Sequence, residues 1–298
     1  MDYNHSIEMH KGKTVPEAIF SILIPTWNNL DILKICLNSI EKNSTYTHEI
    51  IIHVNEGKDG TLEWIRGRGY KYTFSDKNVG VCYAMNAMSK LATTDYILYI
   101  NDDMYTCPEW DKYLYHAIEK KADNYFYFSS TMIEPRENKY YKCAIAPYNF
   151  GVTPETFEEQ AMLDFSKEIT KKDWLGASWP PSIVHRELWD KVGGYSVEFS
   201  PGLGSDPDFS MKLWQAGVRD FKGIGNSLVY HFQSKSTVRV VKNNGRLQFA
   251  EKWGIPSSYF YKKMLKLGEE FNENPLELSK NLSYRIAQLR AFWIKLTA

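Results

Sequence analysis

Residues 98–110 read LYINDDMYTCPEW, and their interpretation decides the fold. The first residues form a buried-strand pattern, which Asn101, Asp102 and Asp103 then end. Burying a carboxylate is costly unless something pairs with it. A divalent cation would serve: hard cations take carboxylate oxygens, and Mg²⁺ is commonly shared with substrate phosphates. An acidic loop capping a helix opened by Pro108 would serve as well.

Upstream, the same kind of run recurs. Residues 18–25 (AIFSILIP), 49–54 (EIIIHV) and 70–75 (YKYTFS) are short, β-branched or aromatic, and strand-like. Between them lie helical stretches. Leu30, Leu33, Leu37 and Ile40 make a helical stripe, a short helix begins near Thr61, and residues 79–92 form a third. Regular strand–helix alternation predicts an α/β fold with a Rossmann-like, mostly parallel sheet flanked by helices. In such sheets ligands bind beyond the carboxyl ends of the strands. Polar clusters fall at those ends: Pro25-Thr26-Trp27-Asn28, Asn55-Glu56-Gly57, residues 75–78 (SDKN), and Asn101-Asp102-Asp103.

The second half is less regular. Residues 134–172 read as a long connection holding one helix, and long loops are usually functional or mobile. In GSDPDFS (204–210), Pro207 fits a first helical position with Asp206 as N-cap. His231 leaves a strand beside Tyr and Phe, where a satisfied core histidine is the commonest explanation. Of the abundant aromatics, 15% of the chain, Trp27, Trp174 and Trp179 are set aside as pocket candidates.

Bulk properties exclude several classes. Lys+Arg and Asp+Glu are 36 each, so no global field draws nucleic acid. The four cysteines form no CxxC pair, which fits reduced thiols in a cytoplasmic protein. No apolar run approaches a membrane span, and the N-terminus lacks a signal-peptide core. No G-x-G-x-x-G follows the first strand, which argues against a dehydrogenase. PTWNNLD has neither Gly nor a basic residue, which argues against a sugar nucleotidyltransferase.

Five elements, FSILIPTWNN, VNEGKDGT, KNVGVCYAMN, YINDDM and GSDPDFSMKLWQAG, stand in an order that resembles the family-two glycosyltransferases of the A-type fold. The resemblance runs from about Ile19 to about Thr237. It implies an inverting, metal-dependent transfer of a sugar from a nucleoside diphosphate, UDP foremost, to an acceptor hydroxyl in surface glycan or glycoconjugate synthesis. The acceptor would be a glycan, a lipid-linked carrier or a protein.

By the resemblance, Pro25, Thr26, Trp27, Asn55, Glu56, Asn78, Gly80, Asn86, Asn101 and Asp102 would contact the nucleotide-sugar, with Ser234 and Lys235 near its diphosphate. Asp103 and His231 would hold Mn²⁺ or Mg²⁺. Asp206 or Asp208 would be the catalytic base. Apart from the resemblance, Trp174 and Trp179, aromatics near these motifs in sequence, are expected to shape the acceptor site together with residues 134–172. Three positions depart from the pattern. Asn55 replaces the usual Asp, Met85 a frequent Arg, and Ser205 the usual Glu. Met85 and Ser205 keep open a non-catalytic carbohydrate- or nucleotide-binding protein on the same fold.

The expected organisation is a lead-in (1–18), a transferase domain (19–240) divided into a nucleotide half (19–107) and an acceptor half (108–240), and a helical extension (241–298). Apolar and basic residues near the end, Trp293 and Lys295 among them, suit packing on the domain or on a second subunit. Peripheral membrane contact is the other use of such a helix.

Overall fold

The computed structural model describes residues 6–137, 141–233, 242–274, 276–278 and 280–297. Its strands are β1 (Glu8–His10), β2 (Phe20–Trp27), β3 (Glu49–Asn55), β4 (Lys71–Ser75), β5 (Tyr96–Tyr99), β6 (Met104–Thr106), β7 (Phe126–Ile133), β8 (Ala144–Ile145), β9 (Trp174–Leu175), β10 (Ser182–His185) and β11 (Asp220–His231). The helices are α1 (Leu30–Asn43), α2 (Thr61–Arg68), α3 (Gly80–Ser89), α4 (Trp110–Glu119), α5 (Glu159–Glu168), α6 (Arg186–Val192), α7 (Ser205–Gln215), α8 (Gly245–Trp253), the short α9 (Ser257–Tyr259) running into a π-turn, and α10 (Leu282–Thr297).

One sheet carries the strands in the order β1-β4-β3-β2-β5-β10-β7-β11-β6. The α/β expectation holds, and β4, β3, β2 and β5 are mutually parallel. Beyond β5 the sheet is mixed. β10 enters antiparallel to both β5 and β7, and β6 lies antiparallel on β11. The central strands are apolar along their length because both faces are covered. Phe20, Ile22 and Ile24 of β2 point to α1 and α4, while Leu23 and Ile51 point to α3.

The segment expected to run from Asp103 straight to a helix instead crosses to the far edge of the sheet as β6. The helix then starts at Trp110, not Pro108. The triplet 101–103 therefore spans from the centre of the sheet to its edge.

Trp174 is not a pocket residue. It is 3% exposed, and its Nε1 donates to Thr131 Oγ1 at 2.9 Å. A Cβ built on Gly223 would sit 1.8 Å from its ring. Gly223→Ala is therefore expected to destabilise the fold by about 3 kcal/mol or more through overpacking, read as a lower thermal midpoint. An unchanged midpoint would contradict this packing.

The C-terminal helices join the main core. Phe249, Phe260, Met264 and Leu276 share one apolar cluster with Leu23 and Phe209.

Candidate active site

Sheet register brings the strand-end clusters together. β2, β3 and β4 end side by side at Trp27, Asn55 and Ser75. The chain after β5 turns over the same edge. Together they line a cavity of about 570 Å³. Pro25, Thr26, Trp27, Asn55, Asn78, Gly80, Asn101, Asp102, Asp103, Trp179, Asp206 and His231 all face it.

The two acids after Ile100 have different partners. Asp102 Oδ2 accepts from Thr26 Oγ1 at 2.6 Å and from Asn29 Nδ2 at 3.3 Å. It is tied to the end of β2. Asp103 Oδ2 lies 3.5 Å from His231 Nε2. On the other side of that ring, Nδ1 lies 3.0 Å from Glu134 Oε1. Glu134 is 2% exposed and follows β7 directly. Burial alone would lower the pKa of His231, but Asp103 and Glu134 overcome it and raise it to about 10. A histidine between two carboxylates explains how the strand end tolerates its charge.

The site is electronegative. Tyr99, next to it, is held well above its ordinary pKa by burial and then by Asp206, Asp102 and Asp103. Burial first, and then Asp102 and Asp103, raise the thiol of Cys36 in the same way. That field suits a cation. Among the described residues no group of three or more His, Cys, Asp or Glu side chains is arranged to hold a metal. What the chain offers is the pair Asp103 and His231. This fits an ion that takes its remaining ligands from phosphate oxygens and water.

Asp206 stands elsewhere in the cavity wall. It is not an N-cap: α7 begins one residue earlier, behind the left-handed Gly204, so Asp206 lies in the first helical turn. Its Oδ1 accepts from Tyr195 Oη at 3.3 Å. Burial pushes its carboxyl up to about 7, against the lowering effect of that hydroxyl. Tyr195 stacks on Phe209 at 4.7 Å, and its backbone is clamped by Asn86 through two hydrogen bonds. Asn86 lies outside the cavity lining and bears on Asp206 through Tyr195.

Asp208 points away from the cavity. It is fully buried and accepts from Trp253 Nε1 at 2.8 Å, with Lys252 Nζ at 3.0 Å. It fastens α7 to α8.

The nucleotide-side loops are braced internally. Asn55 Oδ1 accepts from the Val79 amide at 2.9 Å, and its Nδ2 donates to the Thr26 carbonyl. Asn78 Oδ1 accepts from the Gly80 amide. Gly80 has φ +79°, and a Cβ there would lie 2.5 Å from Pro201. Only glycine lets the 201–203 loop close the cavity at this point. Glu56 lies outside the cavity lining and pairs with Lys58. Ser234 and Lys235 lie outside the described residues. Glu134 and Tyr195 went unnoticed in the sequence. Glu134 does carry the same sign as Asp103, an acid ending an apolar run.

This arrangement, a parallel half-sheet continued by a mixed half with acids at the crossover, is the A-type glycosyltransferase fold. The glycosyl transferase family 2 profile matches residues 21–176, more than half of the sequence, and the chain belongs to that family. Curated protein sequences give no match. Among solved structures, GalNAc-T7 with UDP, GalNAc and Mn²⁺ aligns at TM-score 0.56 and 14% identity, covering 95% of this chain and 57% of that one. S. aureus TarS aligns at TM-score 0.52 and 14% identity, covering 81% and 43%. At these identities the likeness is one of fold, and the chain spans about half the length of each.

Proposed function

We propose that this protein is an inverting glycosyltransferase that uses a nucleoside-diphosphate sugar, UDP-linked, and an acceptor hydroxyl in glycan or glycoconjugate synthesis. One observation carries the proposal. A single cavity holds a carboxylate–imidazole pair at the sheet crossover and a second carboxylate, on its own helix, whose pKa lies near neutrality. Family membership adds the reaction class, and the GalNAc-T7 structure contains UDP and Mn²⁺.

The loops at Pro25–Trp27 and Asn78–Gly80 would receive the nucleotide. Asp103 and His231 Nε2 would hold Mn²⁺ or Mg²⁺, with Glu134 fixing the imidazole through Nδ1. Such an ion neutralises charge on the leaving diphosphate. Asp206 accepts the proton of the attacking hydroxyl, and its pKa near 7 matches that task. Displacement in line, with no covalent intermediate on the chain, inverts the anomeric carbon. Trp179, T-shaped against Tyr261 at 5.4 Å, offers the acceptor a flat wall.

The first test is a donor screen. UDP-, GDP- and dTDP-sugars are each offered with and without Mn²⁺, and free nucleoside diphosphate is followed. Metal-dependent release from one donor is expected. Donor binding with no release, even with acceptors present, would favour the binding-protein reading that Ser205 and Met85 keep open.

Tyr195 gives a finer prediction. Its hydroxyl donates to Asp206 and stabilises the ionised form. Tyr195→Phe removes that donor, so the rising limb of kcat/KM, centred near pH 7 in the parent, is expected to move to higher pH. A limb that stays in place would disconnect Asp206 from the proton transfer.

A further inference from the structure

Helix α10 shows two opposite faces. Ala287, Ala291 and Ile294 are buried, and the helix packs on α8 beside Ala250 and Leu247. On the other side Leu282, Ile286, Leu289, Trp293 and Leu296 are exposed, Leu282 by 72% and Trp293 by 63%. At 3.6 residues per turn these five fall within an arc of about 80°. Phe292, also exposed, lies outside this arc, next to Arg285. Contiguous apolar surface of this kind marks an interaction site.

The charges choose the partner. Arg285 and Arg290 fall on opposite flanks of the stripe, and Lys295 adds a third positive charge to the helix. After Glu277 the sequence carries Lys280, Arg285, Arg290 and Lys295 and no acid. A second copy of the helix would set cation against cation along both flanks. An anionic lipid surface meets them with opposite charge, while the stripe enters the headgroup boundary and the long basic side chains reach back to phosphate. No helix among the described residues is long and apolar enough to cross a membrane, so the contact lies in the plane of the interface.

We infer that α10 is an amphipathic membrane-surface helix that docks the protein on anionic lipid. The helix it packs on, α8, begins beside the cavity. Asn243 Nδ2 donates to the Leu203 carbonyl, and Leu203 and Lys242 both line the cavity. The inference stands on the helix alone and does not depend on the chemistry proposed for the cavity.

The test is vesicle flotation of the full chain. One set of vesicles is phosphatidylcholine alone and the other adds phosphatidylglycerol. Binding is expected only with phosphatidylglycerol, and is expected to weaken as salt rises. Two double variants, Leu289→Gln with Trp293→Gln and Arg285→Gln with Arg290→Gln, are each expected to lower partitioning about tenfold or more. Their melting temperatures should stay unchanged, because these side chains are solvent-facing. Equal binding to neutral vesicles, or no loss in either variant, overturns the inference. So does a dimer of the parent chain, abolished by the apolar double variant, that leaves both vesicle types unbound.

Discussion

Asp206→Asn is expected to lower turnover by about 10²- to 10⁴-fold, the usual worth of a positioned general base, with little change in donor affinity. The amide keeps the shape of the side chain and loses its capacity to take a proton. A second, opposite effect accompanies the loss. Asp206 titrates near 7 when folded and close to the ordinary carboxylate value when unfolded. Between those values the folded state binds more protons, so the stability contributed by this group falls as pH rises through the window. The Asn variant escapes that penalty. It is expected to melt higher than the parent above pH 7, with the difference vanishing near pH 4. An inactive variant that is also less stable at neutral pH would mean that Asp206 supports the fold and is not the base. Asp208→Asn gives the contrast: a destabilised protein, because Lys252 and Trp253 lose their charged acceptor.

Asp103→Ala is expected to abolish metal-dependent turnover, a loss of about 10³-fold or more given the several kcal/mol that a Lewis acid contributes at a leaving diphosphate. The direct readout is metal affinity by calorimetry or Mn²⁺ EPR. Glu134→Gln is expected to weaken the same affinity by about 10- to 100-fold, since Glu134 holds the imidazole at Nδ1 and would leave Nε2 to the ion. In the metal-free protein His231 is protonated up to about pH 10. A cation taking Nε2 must displace that proton, so apparent affinity is expected to rise with pH across the neutral range. Asp103→Ala with unaltered Mn²⁺ binding would remove the carboxylate from the metal site. Asp102→Asn should behave differently, loosening the Thr26 and Asn29 contacts at the end of β2.

The parallel half of the sheet was legible because its strands are buried on both faces and read as unbroken apolar runs. The loops that follow them were legible because such sheets bind ligands at strand ends. The other half was hidden for physical reasons. β10 runs antiparallel between β5 and β7, and nothing in its four residues states that Ser182 pairs with Tyr99 and His185 with Tyr96. β6 is three residues long, too short for a periodicity. Asp206 and Asp208 share one motif and one helix, and only their surroundings separate them. Tyr195 approaches the first, while Lys252 and Trp253 approach the second from a distant segment. Trp174 read as a pocket residue because a tryptophan near polar loops often is one, but the space left at Gly223 claims its ring for the core.

The bond between Asp208 and α8 has a practical corollary. The helix that presents Asp206 is anchored at its next acid by residues 252 and 253, beyond residue 176, where the family profile ends, and beyond the boundary drawn at 240. A chain cut at that boundary would keep every cavity motif and leave a buried carboxylate without its cation, two residues from Asp206. Loss of activity on such a cut would trace to the footing of α7 and not to a missing binding module. A shortened chain that keeps α7 in place is expected to need residues through Trp253.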